Sequence, residues 1–211
     1  MKEDIYIIGS GGFAKEVYSI VKTIKKFNFL GFVDSSNQKS QIELFGENLP
    51  IIEEQYFLNN IQNVNIIFGV GNPKLIHKLV KKFINYKFPN IIHPTHTQDY
   101  DNIKMGIGNV ITQNVVFTTN IQIGSFNIFN LNTTVGHDCV IGDMNVINPS
   151  VNISGNCKIG NMNLFGVSSV VLENLEIGNN NIIGASALMN KKINNNGVYV
   201  GIPSKFLKTN E

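Results

Sequence analysis

Several things are scarce in this chain of 211 residues. No apolar run approaches the ~20 residues that a membrane-spanning helix needs, so a helical membrane anchor is not expected. Neither sign of charge is in excess: 17 Lys+Arg stand against 15 Asp+Glu, a net of +2, and the basic residues are scattered. That gives no electrostatic footprint for a nucleic-acid partner. Cysteine occurs only as Cys139 and Cys157. Met1 is followed by a lysine, two acids and a short apolar run, which is not the pattern of a secretion signal. The expectation is a cytoplasmic, reducing location with both thiols free. Tryptophan is absent, whereas Asn and Ile are abundant, as in an architecture that uses Asn repeatedly.

What is present divides into two halves with different periods. Residues 1–92 alternate short apolar runs with amphipathic stretches, the pattern of βα units on a parallel sheet. Ile5–Ile8, Phe29–Val33 and Val64–Val70 read as strands, with Phe88–Ile92 as a last short one. Phe13–Lys26 reads as a helix with Val17, Ile20, Val21 and Ile24 on one face. Glu53–Asn60 is a short helix, and a further helix follows the turn Gly71-Asn72-Pro73. Gly9, Gly11 and Ala14 fit the G-x-G-x-x-G/A spacing, and Asp34 stands at the end of the next apolar run. Taken alone, that is a dinucleotide fingerprint. Yet about four strands make only one mononucleotide half of the dinucleotide fold. The turn Gly9–Phe13 therefore reads as a set of backbone N–H groups offered to a nucleotide diphosphate at a helix N-terminus.

From about residue 95 the period becomes six. Ile-Gly pairs stand at 107, 123, 141, 159 and 177, the last four evenly spaced at three sixes. An apolar residue recurs at every sixth position: Ile123, Phe129, Val135, Ile141, Ile147, Ile153, Ile159, Phe165, Val171, Ile177, Ile183 and Met189, with Met105, Ile111 and Phe117 in the same frame upstream. Six fits neither a helix nor a plain strand. It fits a parallel β-helix of hexapeptide repeats, with three hexapeptides to each triangular coil. The apolar residue points into the prism, and the glycine after it is expected to ease the corner. Asn127, Asn145, Asn163 and Asn181 recur once per coil and predict a stacked Asn ladder. Cys139 and Cys157 are also one coil apart and fall at inward positions, which speaks for packing rather than for a metal site, a redox couple or an acyl carrier. No metal is expected. The segment after residue 189 leaves the repeat and is expected to cap the prism.

Among repeats of Asn, Thr, Ser and apolar residues, His137 is the only histidine. It follows the inward Val135 by two and should face outward. Asp138 is next to it, and a carboxylate can fix an imidazole's tautomer and raise its basicity. Side chains of adjacent residues usually diverge, so such a pairing needs an unusual local geometry. His93 and His96, in "IIHPTHT", lie at the junction of the halves and read as structural.

Together, "GSGGFAKEV", "GFVDSS", "FGVGNP", "IIHPT", "GHDCVIGD" and "VGIPSKFL" resemble, in order and over nearly the whole chain, the NeuD/PglD family of bacterial sugar acetyltransferases. The resemblance implies an N-terminal Rossmann-like half-domain (1–92) followed by a left-handed parallel β-helix with a C-terminal cap (93–211), assembled as a homotrimer. It implies acetyl-CoA-dependent N-acetylation of the 4-amino group of a UDP- or TDP-linked 4-amino-4,6-dideoxy sugar, with O-acetylation of sialic acid or a related sugar as the alternative. By the same resemblance His137 is the general base and Asp138 its partner. Gly11, Gly12, Phe13, Asp34, Ser35 and Gly71 line the nucleotide-sugar site. Val146, Val167 and Ala185 contact acetyl-CoA, and Lys191, Lys192 and Lys205 are candidates to meet its phosphates. Many relatives have His where this chain has Phe13.

Overall fold

The computed structural model describes residues 2–35, 40–44, 46–99 and 101–210. The N-terminal half opens with β1 (Glu3–Ile8), α1 (Gly12–Ile24) and β2 (Phe27–Asp34). It continues with β3 (Gln41–Leu44), β4 (Glu47–Glu53), α2 (Glu54–Asn60), β5 (Asn65–Phe68) and α3 (Pro73–Lys82). The sheet order is β3-β4-β2-β1-β5, parallel except for the β3–β4 hairpin. β1 lies between β2 and β5, and Ile5, Ile7, Ile66, Ile67 and Phe32 are fully buried between the layers. Glu53 caps α2 by accepting from the N–H groups of Gln55 and Tyr56, and Asn72 caps α3 by accepting from that of Leu75. The close seat of α1 on the sheet rests on Gly69: a Cβ there would lie 2.7 Å from both Cα and Cβ of Ala14. The strand expected at Phe88–Ile92 does not join this sheet. Only Ile91–Ile92 is extended, and it pairs with Val110–Ile111 of the second half. The β3–β4 hairpin was not foreseen.

The second half is a left-handed parallel β-helix. Its strands stack in three faces. The first runs through Ile91–Ile92, Val110–Ile111, Ile128–Phe129, Val146–Ile147, Leu164–Phe165 and Ile182–Ile183. The second holds Val116–Phe117, Thr134–Val135, Asn152–Ile153, Val170–Val171 and Leu188–Met189. The third holds Ile103–Met105, Ile121–Ile123, Val140–Ile141, Lys158–Ile159 and Glu176–Ile177. Every apolar residue of the period-six frame from Ile111 to Met189 is buried. Met105, not Ile107, is the first rung of the third face: Met105 pairs with Ile123, and Ile107 is exposed. The irregular first interval in the Ile-Gly series is therefore a coincidence of sequence.

Two columns explain the composition. The corners do not turn on the glycines. Left-handed φ recurs at every sixth residue from Asn114 to Ser186, two positions beyond the glycines, and Asn occupies many of these corners. A short polar side chain tolerates that conformation best among non-glycine residues. The glycines answer to space instead: a Cβ on Gly142 would sit 2.3 Å from Asn161 Oδ1 and 2.8 Å from Gly160 O on the next coil. The Asn ladder is present and extends upstream through Asn109 to Asn90. In each fully stacked rung the side-chain oxygen accepts from the backbone N–H of the Asn one coil on, as Asn145 Oδ1 does from Asn163 N at 2.9 Å. These buried amides satisfy corner backbone groups that water cannot reach.

The outward side chains Val110, Ile128 and Val146 of the first face pack into the N-terminal core beside Phe68 and Phe88. Phe88 and Phe126 meet edge to face at 4.9 Å between centroids. The N-terminal half thus rests on the first face. Beyond the repeat, Gly197–Val200 adds in parallel to Ile182–Ile183, and Lys205–Thr209 folds back antiparallel. This hairpin follows the last coil of the repeat. Among the described residues no helix is long and apolar enough to cross a membrane.

Candidate active site

His137 and Asp138 sit at the corner between the second and third faces. Asp138 takes the left-handed corner conformation, φ 61°. That turn folds its carboxylate back beside the preceding residue, the local geometry that adjacent side chains need in order to meet. His137 Nδ1 lies 2.7 Å from Asp138 Oδ2. A carboxylate only accepts, so Nδ1 carries the proton and the Nε2 lone pair is left facing away from the acid. The His137 side chain is 63% exposed, open on the side where a substrate or a neighbouring copy can approach. Asp138 also accepts from Asn120 Nδ2 at 2.5 Å, and this bond, followed by the one to His137, holds its carboxyl below the usual carboxylate range. The imidazole edge lies over Gly155, where a Cβ would be 2.7 Å from both Cε1 and Nε2 of His137. Sequence reading missed Asn120 and Gly155. The signal was available: each lies one coil from a member of the pair.

Cys139 and Cys157 are fully buried inside the prism. Their thiols donate to the carbonyls of Ser154 and Leu172 at 3.2 Å. The neighbouring Cys157, and after it burial, pushes the Cys139 thiol up, and Cys139 in turn pulls Cys157 down to about 7, but both lie inside the prism away from any substrate. Among the described residues no group of three His, Cys, Asp or Glu is placed to hold a metal.

The second candidate region lies at the carboxyl ends of β1, β2 and β5. A cleft of about 260 Å³ is lined there by Gly9, Val33, Asp34, Ser35, Val70 and Leu75, among others. Ser10 donates to Asp34 at 2.5 Å. Gly11 is the N-cap of α1 with no side-chain cap, so the first N–H groups of that helix are not met by a capping side chain. Gly11, Gly12 and Gly71 lie at the surface, and a Cβ on any of them would meet nothing within 4 Å. Phe13 is half-buried against the N-terminal core.

The residues expected at acetyl-CoA separate. Val167 and Ala185 are exposed, one coil apart, at the corner between the first and second faces. Val146 is 2% exposed beneath the N-terminal half, so its side chain does not line an open groove. A groove of about 600 Å³ runs along the third face from Val140, past Lys158 and Glu176, to Lys192. Lys192 is paired with Glu176, while Lys191 and Lys205 are exposed. In a triangular prism the corner carrying His137 is opposite the first face, on which the nucleotide-type half rests. One chain does not bring the cleft, His137 and the Val167–Ala185 corner together.

Comparison with known proteins follows this geometry. Residues 4–83 match the family described as the PglD N-terminal domain. No curated protein sequence matches significantly. Over 97% of both chains the fold is similar to a histidine-to-asparagine variant of perosamine N-acetyltransferase from Caulobacter crescentus, in complex with CoA and GDP-perosamine, at 22% identity and TM-score 0.86. It is similar to the acetyltransferase domain of PglB from Neisseria gonorrhoeae, in complex with acetyl coenzyme A, at 24% identity and TM-score 0.87, over 98% of this chain and 100% of that one. WeeI from Acinetobacter baumannii matches at 24% identity and TM-score 0.84, with the same coverage.

Proposed function

We propose, from the match of residues 4–83 to the family described as the PglD N-terminal domain, that the protein is a sugar N-acetyltransferase that uses acetyl-CoA. Its acceptor is the 4-amino group of a nucleotide-linked 4-amino-4,6-dideoxy sugar. The observation that carries the reading is the outward His137–Asp138 pair, with Nε2 facing solvent, on a hexapeptide prism joined to a nucleotide-type half. The likeness to a perosamine N-acetyltransferase held with GDP-perosamine supports an amino-sugar nucleotide, and it adds GDP to the UDP and TDP forms as nucleotide carriers to test.

His137 Nε2 takes a proton from the sugar amine as its nitrogen bonds to the acyl carbon and the carbon–sulfur bond breaks. The proton then goes to the departing thiolate. Asp138 keeps Nδ1 protonated and stabilises the imidazolium while it lasts. The sugar nucleotide is assigned to the cleft that Asp34 and Ser35 line, with Gly11, Gly12 and Phe13 at the start of α1 and Gly71 on the turn after β5 as its further contacts. The uncapped start of α1 suits a diphosphate, in a chain whose 17 basic residues are all lysine. Val167 and Ala185 are assigned to acetyl-CoA, which supplies the acetyl group, with Lys191 and Lys205 within the same region of the later coils. Val146 is left out because it is buried. Since cleft and base lie on opposite sides of one prism, the working site takes its parts from neighbouring copies, and a homotrimer is the assembly we assign.

The test is mass spectrometry of acetyl transfer from acetyl-CoA to UDP-, TDP- and GDP-linked 4-amino-4,6-dideoxy sugars and to free sialic acid. An acetyl adduct on an amino-sugar nucleotide is expected. His137→Gln should reduce its rate by roughly 10²–10⁴-fold with an unchanged melting temperature. An adduct on sialic acid alone, or an active variant, would overturn the reading.

A further inference from the structure

The corner column that carries Asp138 consists of Asn120, Asp138, Asn156 and Asn174, one per coil and all with left-handed φ. Asn and Asp both tolerate such a corner, and Asp138 is the one acid in the column. Asn156 donates to Asn174 at 2.7 Å, the amide-to-amide step that this column makes where function does not intervene. Asn120 instead donates to Asp138 Oδ1, while the other oxygen, Oδ2, faces His137 Nδ1. The two carboxylate oxygens are thus taken by two different donors, one from the coil before and one from the residue before. A carboxylate held at one oxygen only can rotate about its terminal torsion, which is broad. Held at both, it presents Oδ2 to the imidazole in one orientation.

We propose that Asn120 is a positioning residue: it clamps the Asp138 carboxylate from the preceding coil and so fixes the Nδ1-protonated tautomer of His137. The inference rests on the reading of His137 as base, and it deepens that reading. The Asp138 side chain is about half exposed, so its orientation comes from hydrogen bonds more than from packing. Removing the Asn120 amide leaves Asp138 in place but free to turn. It also removes the largest influence that holds the Asp138 carboxyl below the usual range.

Asn120→Gly tests this with little structural penalty, since glycine accepts the left-handed corner without strain. Asn174→Gly, further along the same column, makes the same change away from the pair. On the full-length protein, nitrogen NMR of the imidazoles reports the tautomer, with His137 assigned by loss of its signals in His137→Gln. Carbon NMR of labelled aspartate reports the titration of Asp138. Wild type and Asn174→Gly should show His137 as the Nδ1–H tautomer and Asp138 titrating below the ordinary range. In Asn120→Gly the tautomer preference should weaken and the Asp138 titration should move up. Asn120→Asp, which faces Asp138 with a second carboxylate, should move it up further. The turnover of Asn120→Gly should fall by roughly three- to tenfold, the weight of one hydrogen bond, with KM for both substrates unchanged. An unaltered tautomer and Asp138 titration in Asn120→Gly would overturn the clamp. Absence of acetyl transfer by the wild type would instead overturn the reading of function, and the NMR result would still decide the clamp.

Discussion

At the scale of single residues, the chain spends its polar groups on holding corners. His93 shows how far this goes. It is 8% exposed, and its Nδ1 accepts from the Thr95 backbone N–H at 3.2 Å and meets Thr95 Oγ1 at 2.9 Å. Its own backbone N–H donates to Ile111 O, tying the entry turn to the first coil. Burial, and after it the neighbouring His96, lowers the pKa of His93 below its ordinary value of 6.5. The unfolded chain therefore binds the proton at a higher pH than the folded one. Stability is complete above the ordinary value, falls as pH drops through it, and stops falling once pH is below the folded value. Melting temperature followed from about pH 7 to 5 should show this decline, and His93→Asn, which keeps an acceptor but cannot titrate, should flatten it. A variant curve parallel to wild type would show that His93 is not the group responsible.

At the scale of elements, the coil is the unit that sequence reveals and the βα half is the unit it half conceals. A period of six written with Ile, Val and Phe is legible because each rung repeats the same demand for one inward side chain. The Asn ladder is legible for the same reason. The β3–β4 hairpin was not, because β3 is short and β4 carries Pro50. The glycines were placed correctly and explained wrongly, since φ cannot be read from a residue name and contact with the next coil is a tertiary fact. That contact makes a prediction. In Gly142→Ala the new methyl group meets the backbone of Gly160 as well as Asn161 Oδ1, so side-chain motion alone does not relieve it. The substitution should lower stability by about 2 kcal/mol or more, as overpacking does. A urea midpoint equal to wild type would mean that the coils separate more easily than their spacing implies. In the candidate site, His137 and Asp138 were legible as chemical outliers in the repeat, whereas Asn120 and Gly155 look like any other corner residues until the coil length is added or subtracted.

At the scale of the whole molecule, the decisive fact is that the nucleotide-type half covers one face and the imidazole stands at the opposite corner. The proposed sharing of the site between copies can be tested by complementation. Gly11→Leu puts a bulky side chain at the uncapped start of α1, where the diphosphate is proposed to bind, without touching the chain's own atoms at its Cβ. Co-expressed with His137→Gln, each alone inactive, it should restore about a quarter of the wild-type sites, those pairing an intact cleft from one copy with an intact base from another. No recovery in a mixed oligomer would mean that each chain works alone. The stacked coils have one more consequence. The height of His137 along the prism is measured out in whole rungs, each about 4.8 Å. Gain or loss of one complete coil leaves every column in register and shifts the base by one rung relative to the half that would hold the sugar. Any other length scrambles the ladder. The fold is a ruler with no marks between its divisions, so the reach from nucleotide to reacting nitrogen can change only in steps.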